Sequence, residues 1–335
     1  MIRDSAASAG SSEEILEPGL LICDPHHHIW DFPGFRYLVP DFLADVGPGD
    51  GVGGHRIEST IFVQCGAFYR QAGPEHFKPV GETETIARFA EENAARHGNV
   101  IDACAAIVGH ADLRRGAAVD EVLEALNEAG RGRLRGIRHG AGWDASEVTA
   151  TTPAPDGWLY RDPAYRQGFG RLAAHGLSFD AWQYHSQLSD LVDLANAFPD
   201  TKIMLDHCGG PLGIGVYAGH REEVYAVWRK AIKALGRCPN VWVKLGGLGM
   251  AMCGFDMPQD PGSAQIVHLW RPYIEPCLEA FGVERSMFES NFPADRDTCT
   301  YRAIWNAHKR FAAGASAKEK AKLFRDNARA FYRLD

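Results

Sequence analysis

Three consecutive histidines, His26, His27 and His28, sit in the segment Asp24-Pro25-His26-His27-His28-Ile29-Trp30-Asp31. Imidazole can bind a divalent ion or move a proton near neutral pH. The run follows a short apolar segment, Leu20-Leu21-Ile22-Cys23, bounded by Pro18-Gly19, which reads as a buried strand. Side chains alternate along a strand, so His26 and His28 point one way and His27 the other. Two imidazoles on one side of a strand end can grip one ion. The competing reading is a surface cluster or purification tag. A tag is usually terminal and longer, and is not framed by a strand and Trp-Asp. Later parts of the chain must supply the remaining ligands and the base.

The elements that position these residues follow from the rest of the pattern. Strand candidates fall at 20–25, 59–65, 102–108, 133–139, 176–184, 202–207, 241–246 and 286–290. Helical patterns lie near 82–97, 117–129, 164–175, 187–198, 221–236, 265–281, 298–313 and 316–332. Eight strands, each followed by a helix or long loop, predict an α/β fold: a single distorted (β/α)8 TIM barrel over 19–335. A doubly wound sheet would want a glycine-rich phosphate loop after the first strand, and none is present. The polar, small residues 1–18 read as a flexible tail with no signal core, which suggests a cytoplasmic protein.

Composition narrows the partners. The 335 residues are 45% hydrophobic and 23% charged, with a formal net charge of −8. No basic stripe suggests nucleic acid, and no apolar run suits a membrane span. A homo-oligomer is compatible with the sequence, and a small anionic substrate is the partner that Arg138, at a strand end, would suit. The eight Cys form no C-x-x-C pair, so they read as buried free thiols.

In such a barrel the active site gathers at the C-terminal ends of the strands. Strand one ends in His26 and His28, strand two at Gln64, strand four at Arg138-His139. Strand five ends in Tyr184-His185 and strand six in His207. Strand seven carries Lys244, and strand eight Glu289 and Asn291. Four strands thus deliver histidine to one mouth. Arg138 suits an anion, because guanidinium grips a carboxylate bidentately; a surface ion pair is the plainer reading. For Lys244 the plainer reading is a buried structural pair.

From about residue 20 to the C-terminus, the chain resembles the amidohydrolase superfamily. The resemblance is to the amidohydrolase-2 branch of metal-dependent hydrolases, which contains 2-pyrone-4,6-dicarboxylate lactonase, L-fuconolactonase and 4-sulfomuconolactonase. It rests on Asp24-x-His26-x-His28-x-Trp30-Asp31, Arg135-Gly136-Ile137-Arg138-His139 and Leu205-Asp206-His207-Cys208-Gly209-Gly210-Pro211. Ser290-Asn291-Phe292-Pro293 and the closing Leu323-Phe324-Arg325-Asp326-Asn327-Ala328-x-x-Phe331-Tyr332 add to it.

The resemblance implies a metal held by His26 and His28, with His185 as a fifth-strand ligand. It implies that His207 binds metal or deprotonates water. Gln64, Arg138, Tyr184 and Lys244 are candidates for substrate contact. One divalent ion, zinc or manganese, is the expected cofactor. The family usually ends strand eight in Ser-Asp-Trp-Pro, and here Asn291 takes the place of that Asp. An amide cannot take a proton. Glu289, two residues earlier on the same side, is a candidate to replace the carboxylate as ligand or base, or to pair with Lys244 or Arg138; Asp295 is a looser candidate. The resemblance implies a lactonase acting on a carboxylated lactone from aromatic or sugar-acid catabolism. A decarboxylase or hydratase, and a non-catalytic ligand-binding barrel, are the alternatives.

Overall fold

The computed structural model describes residues 13–47, 54–97, 101–146 and 157–334. Eight parallel strands pair in sequence order: β1 Leu21–His27, β2 Arg56–Val63, β3 Asp102–Gly109, β4 Leu134–Ile137, β5 Ser178–Ala181, β6 Ile203–Leu205, β7 Val241–Leu245 and β8 Ser286–Phe288. The sheet curls until its edges meet. His28 N donates to Phe292 O at 2.7 Å, and Asn291 N to His26 O at 3.0 Å. This is the expected (β/α)8 barrel.

The surrounding helices are α1 Val39–Val46, α2 Val80–His97, α3 Asp120–Ala129, α4 Pro163–Phe169, α5 Leu188–Ala197, α6 Arg221–Leu235, α7 Ser263–Phe281 and α8 Tyr301–Phe311. Their apolar residues recur at helical spacing. In α6 the buried set is Val224, Trp228, Ile232 and Leu235, which packs on the sheet while the charged face stays in water. The helix expected over 164–175 is shorter, because Gly170 closes it. The last helical pattern divides into Ala317–Ala321, a wider π turn Lys322–Asp326 and Asn327–Tyr332.

Inward and outward positions follow the two-residue period. Cys23, Ile61, Val63, Ala106, Val108, Met204 and Met287 form one apolar cluster, joined by Ala328, Phe331 and Tyr332 of the C-terminal helix. Two residues further along, the same strands carry charge: Asp206 follows Met204, and Glu289 follows Met287. The C-terminal helix thus closes the floor beneath a charged upper layer.

A short hairpin, Trp30–Phe32 paired with Phe35–Tyr37, follows β1 and was not foreseen. Its turn uses Pro33 and Gly34, with Gly34 at φ +76°. Residues 1–12 of the expected tail lie outside the described residues. Its last residues lie against α8, where Leu16 N donates to Asn306 Oδ1 at 2.9 Å and Lys309 Nζ to Leu16 O at 2.7 Å. All eight cysteines are free, as their scatter suggested. No helix among the described residues is long and apolar enough to cross a membrane.

Candidate active site

A cavity of about 730 Å³ opens at the C-terminal ends of the strands. His28, Gln64, Arg138, His207 and Asn291 line its polar side. Trp30, Phe32, Phe35, Trp182 and Met252 form an apolar wall, three of them from the hairpin. Phe35 is 49% exposed, so the wall reaches the mouth.

The first strand behaves as its alternation requires. His27 turns outward, places Nε2 at 2.9 Å from Thr60 Oγ1 and stacks on Phe42. Burial pulls its pKa down to about 3. His26 and His28 face the barrel axis, with ring centres 4.9 Å apart. His28 Nδ1 donates to Val63 O at 2.8 Å, which leaves Nε2 as an acceptor.

His207 sits where β6 breaks into a turn, at φ +55°. Its Nδ1 lies 2.8 Å from Glu289 Oε1. Burial raises the Glu289 pKa, but the neighbouring His207 and His26 outweigh it and hold the carboxyl well below the usual range. An ionised carboxylate only accepts, so Nδ1 carries the proton and Nε2 is the free nitrogen. Gly247 passes directly behind this pair: a Cβ there would stand 2.2 Å from His207 Nδ1, and its φ is +65°. The glycine-rich stretch after β7 is what lets the two side chains meet.

Beneath the cavity lies a buried charge network. Lys244 Nζ lies 2.6 Å from Asp180 Oδ2, 3.0 Å from Asp206 Oδ1 and 3.1 Å from His26 Nδ1. Arg138 Nη1 lies 3.3 Å from both Asp206 Oδ2 and His26 Nε2, and Nη2 donates to Gln64 O. Glu289 Oε2 is 3.0 Å from His26 Nδ1. Burial raises the Asp206 pKa, yet Lys244, His207 and Arg138 pull it below its ordinary value. Burial lowers Lys244, but Asp180 and Asp206 hold it above its ordinary value. Three carboxylates of this network thus face two fixed cations. A bound divalent ion would neutralise the surplus.

His26, Asp206 and His207 offer ligand atoms that all lie within 4.8 Å of one another, a group able to hold a divalent metal. The donor set suits zinc-type ions. Asn291 Oδ1 is a buried acceptor without a partner on the same cavity, which also fits. Both nitrogens of His26 face cationic groups, so an ion there would share the site with Arg138 or Lys244, offset by Asp206 and Glu289.

Several expected residues stand elsewhere. His185, expected as a metal ligand, is not in this group and does not line the cavity. Strand five ends at Ala181, and His185 begins a 3-10 turn, where Nδ1 accepts from Leu212 N at 3.4 Å and the ring packs on Tyr217. His28 lines the cavity but lies outside the group. Lys244, expected to bind substrate, is fully buried beneath the cavity and committed to Asp180 and Asp206. Tyr184, also expected at the substrate, is buried against Trp182 and is not among the lining residues. Asp206 and Asp180 were not singled out. Their signal was a charged residue inside an apolar strand run, which demands a partner.

The fold and this site define a (β/α)8 barrel whose histidines converge at one mouth. The chain belongs to the amidohydrolase family, whose model matches residues 23–334. It is 34% identical to the uncharacterized protein y4mH of Sinorhizobium fredii, over 94% of this chain and 99% of that one. It is 27% identical to the L-fucono-1,5-lactonase of Burkholderia multivorans, over 94% and 97% of the two chains. Among solved structures it resembles an amidohydrolase of Burkholderia multivorans with bound zinc, at TM-score 0.65 and 24% identity, covering 94% and 100%.

Proposed function

We propose that the protein hydrolyses a lactone bearing a carboxylate. The observation that carries this reading is the His207–Glu289 pair, which opens onto the same cavity as Arg138. Arg138 is 7% exposed, and its buried Nε lacks a partner. That donor suits the acidic tail of the substrate. The wall of Trp30, Phe35 and Trp182 packs the ring and limits bulk water. His207 Nε2 takes the proton of the attacking water as it adds to the ester carbonyl. Glu289 holds Nδ1–H and stabilises the imidazolium that forms. His207 then returns the proton to the leaving alkoxide. Similarity to the L-fucono-1,5-lactonase supports this chemistry.

The ligand cluster favours a second form of the same reading. With zinc or manganese held by His26, Asp206 and His207, the ion would supply Lewis-acid activation of water and carbonyl. His207 would then be a ligand rather than the base.

The test is a panel including L-fucono-1,5-lactone and 2-pyrone-4,6-dicarboxylate, followed by proton release with and without chelator. Hydrolysis that survives chelation supports His207 as base. Loss on chelation, restored by added zinc or manganese, supports the metal form. Carbon dioxide release from an unsaturated acid, with no lactone opened, would replace both by a decarboxylase.

A further inference from the structure

Asn291 occupies an unusual setting. It is 1% exposed, lines the cavity and stands at φ +54°, in the left-handed region. Its Nδ2 donates to Asp295 Oδ1 at 2.8 Å, while its Oδ1 has no partner. Asp295 is itself fully buried, and its second oxygen accepts from Gly249 N at 3.0 Å. Both oxygens of Asp295 therefore face N–H donors. Burial pushes the Asp295 pKa up to about 7; in its ionised form it only accepts, so the NH2 group of the amide must face it. Oδ1 is then the atom left without a partner, in a residue that lines the cavity. A buried acceptor without a partner is unfavourable, so its presence in a residue that lines the cavity points to a ligand.

We propose that Asp295 is a positioning residue: it fixes the Asn291 amide so that Oδ1 accepts a hydrogen bond from the nucleophilic water beside His207. This rests on the hydrolase reading above. The water then has two acceptors of different kinds. His207 Nε2 takes one proton as the C–O bond forms, and Asn291 Oδ1 holds the other without taking it. The proton leaves by His207 to the alkoxide, so the balance closes with no further reactant. The acceptor would equally suit a cation, and the test separates the two.

Kinetics are measured on the panel lactone with the highest kcat/KM, with thermal melts for each variant. In Asp295→Asn the new amide can donate to Asn291 Oδ1 and turn Nδ2 to the cavity. Its kcat should fall at least about tenfold with KM within about twofold, the signature of an interaction made in the transition state. Asn291→Asp sets two carboxylates in contact and should also be poor. The double variant Asn291→Asp/Asp295→Asn restores a donor–acceptor pair with an oxygen toward the cavity, and should recover most of kcat. Unchanged kcat in Asp295→Asn, or a double variant no better than Asn291→Asp, overturns the proposal. Zinc titration of wild type and Asp295→Asn decides the ligand. Zinc affinity weakened about tenfold or more would assign Oδ1 to a cation and overturn the water. A wild type inactive on every lactone would sink both this proposal and the hydrolase reading. An active wild type with insensitive variants would sink this proposal alone.

Discussion

His207 and Glu289 form one unit: Nδ1 donates to Oε1 at 2.8 Å, and the His207 backbone N–H lies 3.2 Å from the same oxygen. The carboxylate therefore fixes both the turn and the ring. Glu289→Gln removes the charge that stabilises an imidazolium and lets the other tautomer form. In the serine protease triad the corresponding change costs about four orders of magnitude in kcat. Here kcat is expected to fall by about two orders or more, with KM little changed. Steady-state kinetics check this, and a kcat within twofold of wild type would return Glu289 to a purely structural pairing.

Arg138 should report substrate charge. Arg138→Met is expected to raise KM for a carboxylated lactone about tenfold or more, since a charge-assisted contact carries roughly 1.5–3 kcal/mol. For an uncharged lactone of the same ring, KM should barely move. Equal losses on both substrates would mean that Arg138 acts only through Gln64 and Asp206.

Tyr332 should matter for stability. Its hydroxyl donates to Asp180 Oδ2 at 2.7 Å, and Asp180 Oδ1 is already buried without a partner. Tyr332→Phe deprives that carboxylate of a donor and is expected to cost about 1–3 kcal/mol in denaturant unfolding. An unchanged midpoint would show that Lys244 alone satisfies Asp180.

Lys309 gives a pH test. Burial pulls its pKa from 10.5 down to about 8, only partly countered by Glu17. The folded state therefore holds fewer protons than the unfolded state between pH 8 and 10.5. Its destabilising cost is full below pH 8 and fades as pH rises through that window. Wild type should gain stability relative to Lys309→Met across it, by thermal or urea unfolding. A flat difference would contradict the burial argument.

The alternation along β1 was legible in the sequence, because a two-residue period needs no tertiary information. The strand order and the mouth followed from the same periodicity. His185 was misplaced because the apolar run 176–184 continues past Ala181, and nothing in composition says that the chain turns there. Lys244 was ambiguous, and Asp180 passed without notice, because a charge on an inward strand position suits a ligand or an ion pair equally. Only the 2.6 Å contact between them decides. The aromatic hairpin was signalled by Pro33-Gly34, but three-residue strands are too short to show a period.

The seam that closes the barrel also sets a timetable for its synthesis. Ser290 Oγ donates to Asp24 Oδ2 at 2.5 Å across a sequence separation of 266 residues. At about 5–20 residues per second, Asp24 leaves the ribosome on the order of 10–50 seconds before its partner. Through that interval β1 has a bare edge, the kind of surface that invites pairing with another chain. Pro25, inside β1, offers no N–H along it. A strand that lacks one ladder donor is a weaker template for pairing than an unbroken one.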